Sequence, residues 1–408
     1  MRIEDRVLAL VDDDYVVGLL SKLISIPTVF PPEDKRAMHE MSRFLAGEMA
    51  KHGLTVRVEG DEGANWARPN VIGTLAGTGL GPTLLLDAHT DVVPIYDRAS
   101  WSVDPFAGEI RDGRLYGRGA ADTKGSLAAM MTGVFAVAAA GVPLDGSVHL
   151  IAWAGDEWHP PDNEYFNGMA YLADQGLIGG DMAIFGEPYD LRITYLSRGR
   201  VWFRITLGGE ATHSATGKGV NAILKALRLI GDIYQVEVGE HPVLGRDSIN
   251  VGTIQGGNQP NMVPDWCTFT FDIRFASPLT VDRVRDMVEE KIAACKQSDP
   301  QFVVRSVEIT ERREPLEFPR DSRVNLALKE AGAYLGMDLQ FGGAVSFGDV
   351  ADWKDKVGIK EACLFGPGET KQAHAVDEHV ILTDVLNAAK VYALAIVNLC
   401  GGPASGKP

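Results

Sequence analysis

His89 and Asp91 close the run Leu84-Leu85-Leu86-Asp87-Ala88-His89-Thr90-Asp91. Residues two apart on a strand point the same way. The pair can therefore sit side by side at the carboxyl end of an apolar strand, the imidazole binding a metal and the carboxylate holding it from behind. The plain alternative is a polar loop after a strand. Gly117-Arg118-Gly119-Ala120-Ala121-Asp122-Thr123-Lys124-Gly125 is a glycine-rich turn opening a helix. Its spacing fits neither nucleotide fingerprint. Asp122 there suits a hard carboxylate ligand, although Asp in such a turn is ordinarily a turn or cap residue. Asp156-Glu157-Trp158 follows a second apolar strand and Gly186-Glu187-Pro188 a third. Glu187, before proline, is extended rather than helical. Far downstream, Leu364-Phe365-Gly366-Pro367-Gly368 leads to His374. Each piece has an ordinary explanation, but His, Asp, Glu, Glu and His at five strand ends do not easily share one.

The elements that must position these residues can be read from periodicity. Residues 15–55 carry helical stripes, from Tyr15 to Ile24 and from Met38 to Met49. Short strands follow at 54–58 and 70–75, then apolar strands at 82–87 and 147–153 with a small-residue helix, 126–140, between them. Strand, helix, strand predicts an α/β fold with a mainly parallel sheet covered by helices. From about residue 196 the pattern becomes strand 200–207, helix 221–234, strands 248–254 and 268–275, helix 281–296 and strand 302–310. That series has the size of a small domain. We therefore expect an inserted domain, 196–312, inside a larger domain made of 1–195 and 313–408.

Composition bounds the function classes. The 408 residues suffice for two domains, and 45% hydrophobic with 23% charged residues is ordinary for a globular chain. The net charge of −16 argues against nucleic-acid and anionic-membrane partners. No uninterrupted apolar run reaches the length of a membrane span, and the first residues lack a signal-peptide layout. Four scattered cysteines fit reduced thiols, and a cytoplasmic location is the expectation.

Together the motifs resemble the metallopeptidase and deacylase family of aminoacylase, acetylornithine deacetylase, succinyl-diaminopimelate desuccinylase and glutamate carboxypeptidase. The resemblance runs from about residue 15 to 400. It rests on Asp87-Ala88-His89-Thr90-Asp91, the 119–125 turn, Gly186-Glu187-Pro188 and Gly366-Pro367-Gly368 with His374. In the inserted region it rests on Thr212-His213-Ser214, Gly219-Val220-Asn221-Ala222 and the stretch from Gly257 to Asp265. It implies a zinc-peptidase-like domain with a ferredoxin-like lid and dimerisation domain. His89 and Glu187 would bind one metal, Asp122 would bridge to a second, and His374 would bind that second metal. Asp91 would support His89, and the peptide after Asp122 would be cis. His213 would reach a neighbouring subunit's site to stabilise the oxyanion. Asn261 and Arg274 would hold a substrate carboxylate, although a structural salt bridge competes for Arg274. Arg198 and Arg200 read as surface residues before they read as anion contacts.

The chain departs from the family at one place. Aligned through Asp156, the family's adjacent glutamates, base first and ligand second, fall on Glu157 and Trp158. Glu157 is then the general base, and an indole stands where a carboxylate should bind the second metal. A register slipped by one residue makes Asp156 the base and Glu157 the ligand; His159, Asp162 and Glu164 are other sources of compensation. The first alignment implies a one-metal site of His89, Asp122 and Glu187 with an open position for water. His374 is then free to orient substrate, and Trp158 lines the pocket, stacks on the substrate or packs in the core.

The expectation is a homodimeric hydrolase with zinc or manganese, one per chain favoured over two. It would cleave an amide-type C–N bond in a small carboxylate-bearing substrate such as an N-acyl amino acid or dipeptide. A mono-metal aminohydrolase of the 5-nitroanthranilate type and a catalytically dead binding relative are the alternatives.

Overall fold

The computed structural model describes residues 1–30, 35–60, 69–157, 167–344 and 350–402. It divides into two compact units, one of Met1–Tyr195, Phe318–Gly342 and Trp353–Pro408, the other of Leu196–Glu317 and Gly343–Asp352.

The first unit is built on a mixed sheet. Its centre is parallel: Ser147–Trp153, Thr83–His89, Met182–Phe185 and Glu361–Leu364 lie side by side in that order. Leu84, Leu85, Leu86, Leu150 and Ile184 on these strands are fully buried, as strands covered on both faces require. The flanks are antiparallel. Thr55–Glu59 pairs with Asn70–Leu75, which pairs with Ser147–Trp153, and Ile193–Ser197 joins beyond Glu361–Leu364. Because the central strands are parallel, all their carboxyl ends open on one edge, where open α/β sheets bind ligands.

Helices cover this sheet for reasons visible in sequence. Asp12 caps Asp13–Ser25 by accepting from Tyr15 N at 3.0 Å, and Val16, Leu19, Leu20, Leu23 and Ile24 form its buried stripe. That helix ends at Ile26, which is extended because Pro27 follows; a second helix, Lys35–Lys51, then packs on the antiparallel flank. Lys124–Ala139 packs on Leu382–Cys400 with almost every residue buried. Gly133 makes the approach possible, since a Cβ there would stand 2.8 Å from the Ala389 carbonyl oxygen. Leu382–Cys400 is the one described helix long and apolar enough to cross a membrane, yet Val385, Val391, Tyr392 and Ile396 on it are fully buried in this core.

The second unit is a four-stranded antiparallel sheet in the order Ser248–Gly256, Trp266–Phe275, Gly199–Gly208, Val303–Arg313. Strict alternation along Trp266–Phe275 puts Cys267, Phe269, Phe271, Ile273 and Phe275 into one core with Val201, Phe203, Ile205 and Leu207. Helices Ala222–Ile233 and Val281–Ser298 supply the rest of that core and are capped by Asn221 and Thr280. Strand–helix–strand–strand–helix–strand with this strand order is the ferredoxin-like arrangement. The last strand runs to Arg313, and beyond it Leu316–Glu317 pairs with Leu196 and Ser197.

Candidate metal centre

Five chain segments bring titratable side chains together in the first unit. Thr83–His89 ends in His89, which is buried. Its Nδ1 lies 2.9 Å from the Asp91 main-chain oxygen, whereas the Asp91 carboxylate stands 3.8 Å away. That carboxylate is engaged elsewhere: it accepts from the backbone N–H of Gly155 at 2.9 Å and of Glu157 at 3.0 Å. Asp91 thus fixes His89 through its backbone and the acidic turn after Ser147–Trp153 through its side chain.

On the other side of His89, Nε2 is 3.1 Å from Asp122 Oδ1. Asp122 Oδ2 is 3.5 Å from His374 Nε2, and His374 Nε2 is 3.0 Å from Glu157 Oε2. Asp122 therefore turns one oxygen to each histidine. The Asp122–Thr123 peptide is cis, as the resemblance implied, and Thr123 Oγ1 donates to the His89 carbonyl at 3.0 Å. His374 sits at φ 62° in its loop. Glu187 follows Met182–Phe185 and stands with Asp156 and His89: one donor atom from each lies within 4.8 Å of the others. His89, Asp122 and Glu157 form a second such group.

The electrostatics are those of crowded, desolvated carboxylates. Burial, reinforced by the Asp122 charge, pushes Glu187 well above the usual carboxyl range. Burial and Asp122 push Glu157 up to about 7 against the pull of His374. Burial works to lower His89, but the hydrogen bond with Asp122 and the nearby Asp156 and Asp91 charges carry it well above an ordinary imidazole. Such crowding is relieved by protons or by a divalent cation. The donor set, imidazole nitrogen and carboxylate oxygen without thiolate, suits zinc or manganese. Two donors ~2.1 Å from one ion at a tetrahedral angle lie ~3.4 Å apart, close to the separations around Asp122. The residues fit a divalent metal.

Of the residues singled out in sequence, His89, Asp91, Asp122, Glu157, Glu187 and His374 are brought together, and Asp156 joins them. Trp158, His159, Asp162 and Glu164 lie outside the described residues. His213, Asn261 and Arg274 belong to the second unit. There exposed His213 bridges to Met262, and Ser214 N donates to the Asn261 carbonyl at 3.0 Å, so the two motifs meet. Arg274 Nε is 2.8 Å from Asp272, the salt bridge weighed above. Arg198 donates to the Arg246 carbonyl at 2.7 Å and Arg200 Nη2 to Glu311 at 2.9 Å. Sequence reasoning missed two supports. Asn70 Oδ1 accepts from Ala154 N at 3.2 Å, and buried Glu378 accepts from the turn that carries Asp122. Neither has a local sequence signal, because the groups they hold are distant in the chain.

A family model, peptidase family M20/M25/M40, matches residues 85–398. The chain is 29% identical over 398 residues to succinyl-diaminopimelate desuccinylase of Rhodospirillum centenum, covering 92% of this chain and 95% of that one. It is 29% identical over 345 residues to acetylornithine deacetylase of Myxococcus xanthus, covering 82% and 84%. Among solved structures it resembles aminopeptidase PepT from Bacillus cereus, with a TM-score of 0.74, 17% identity and coverage of 95% and 99%.

Proposed function

The chain belongs to peptidase family M20/M25/M40, metallo-hydrolases acting on C–N bonds, and from that premise we propose that it hydrolyses the amide of an N-acyl amino acid or dipeptide at a two-metal centre. The observation carrying this reading is Asp122, with one oxygen toward His89 and the other toward His374, whose Nε2 also meets Glu157. His89, Asp122 and Glu187 would hold one divalent cation, zinc or manganese. Asp122, Glu157 and His374 would hold the other. This is the slipped register: Glu157 occupies the ligand place beside His374, and Asp156, beside His89 and Glu187, is left as the base. On this reading no carboxylate is missing, and Trp158 needs no metal role.

A bound cation supplies Lewis acidity at the carbonyl and lowers the pKa of water. Asp156 takes the proton of the attacking water and returns it to the leaving nitrogen as the C–N bond breaks. Asp91 keeps the Gly155–Glu157 turn in place while this happens. His213 would steady the oxyanion from a partner subunit, with Asn261 and Arg274 gripping the substrate carboxylate. The homodimer would form along Ser248–Gly256. That strand is an edge of the second unit's sheet, exposes Ile254, and lies in the unit whose helix Ala222–Ile233 exposes Leu224 and Leu227. We place the enzyme in the cytosol, where its four buried free thiols stay reduced.

The test is release of a free amino acid from a panel of N-acetyl and N-succinyl amino acids and dipeptides by Mn²⁺- or Zn²⁺-loaded protein. Turnover abolished by Asp156→Asn supports the reading. Ammonia released from an aromatic amine, with no amide cleaved, would overturn it.

A further inference from the structure

The turn that carries Asp122 has an unusual backbone. Gly117 and Gly119 take φ of 157° and 88°, and the helix begins only at Lys124. The N–H groups of Gly119, Ala121 and Asp122 point to one spot, and no strand or helix partner serves them. Backbone amides converging this way form a concave anion site. Here the anion is part of the chain. Glu378 Oε2 accepts from Gly119 N at 3.0 Å and from Arg118 Nη1 at 2.7 Å, and Oε1 accepts from Ala121 N at 2.9 Å and Asp122 N at 3.1 Å.

Glu378 also belongs to the loop of His374. Arg118 Nη2 reaches the His374 carbonyl at 3.4 Å, and Gly117 N donates to the Glu378 carbonyl at 2.8 Å. The next strand, His379–Ile381, pairs with Arg114–Tyr116, just before the turn. One fully buried carboxylate thus ties together two segments about 260 residues apart.

We propose that Glu378 is a positioning residue for the metal centre: by filling the 119–122 amide cradle it fixes the bridging Asp122 and the His374 loop as one rigid unit. Its carboxylate oxygens are taken up by Arg118 and three backbone N–H groups, so it acts through Asp122 and the His374 loop rather than as a ligand. A glutamine cannot replace it, because in either orientation its NH₂ would face two N–H donors. The inference rests on the two-metal reading above.

The test is Mn²⁺ binding to the metal-depleted full chain by calorimetry, with the Mn²⁺ EPR spectrum and the melting temperature of each variant. Breaking the buried pair with Arg118 destabilises the fold, so Leu328→Ala, a fully buried site on the helix Arg323–Tyr334, serves as the destabilised control. We expect Glu378→Gln to weaken Mn²⁺ binding on the order of tenfold or more and to change the EPR spectrum, while Leu328→Ala keeps parental affinity. If Glu378→Gln does not fold, Glu378→Asp, which keeps the charge but shortens the reach, is measured in its place against the same criterion. Affinity within about twofold of parent, or an equal loss in Leu328→Ala, would overturn the positioning role. Parental protein that binds no Mn²⁺ would overturn the metal-centre reading, and this inference with it.

Discussion

At the residue scale the centre turns on two neighbouring acids. Asp156 and Glu157 share a turn clamped by Asp91, yet Glu157 meets His374 while Asp156 stands with His89 and Glu187. Asp156→Asn is expected to lower kcat by about 10²–10⁴ with metal content unchanged, checked by steady-state rates beside elemental analysis. A parallel loss of metal would make Asp156 a ligand instead. Most of the site was legible in sequence because His89 and Glu187 stand at strand ends, where alternation and the following proline restrict direction. The division between Asp156 and Glu157 was not, because adjacent residues of an extended turn point apart and spacing alone does not say which faces the metal. Glu378 was invisible for a different reason: its partners are backbone amides, which every sequence possesses.

At the scale of elements, the strand ends work because glycine lets them close on one another. A Cβ at Gly366 would fall 2.3 Å from Ser126 Oγ and 2.6 Å from the Glu187 carbonyl oxygen. Gly366→Ala should therefore displace the Glu187 strand end, costing about 1–3 kcal/mol of stability and weakening metal binding. Thermal melts and Mn²⁺ titration would check both, and parental values for both would remove Gly366 from the account. The parallel centre of the sheet was readable from its apolar runs. Its antiparallel flanks were not, because Thr55–Glu59 and Asn70–Leu75 look alike in either direction and only pairing decides. The strand and helix pattern of the second unit was legible because its strands alternate cleanly and its helices carry caps at Asn221 and Thr280.

At the scale of the whole molecule, acidity and thiol usage bounded the class, while the proposed homodimer would use a free sheet edge and His213. If His213 serves a partner's site, His213→Ala and Asp156→Asn should each be nearly inactive alone. Mixed, dissociated and reassociated, they should recover about a quarter of parental activity, since half of randomly paired dimers carry one intact site. Sedimentation should show the dimer, and no recovery from a mixture proven to exchange would mean that His213 acts within its own chain or not at all. The most direct measurement of the central claim is metal per chain, by elemental analysis after Mn²⁺ loading and desalting, in parent and Glu157→Gln. The account predicts two equivalents in the parent and about one in the variant; one equivalent in both would contradict it and return Glu157 to the role of base at a single-metal site.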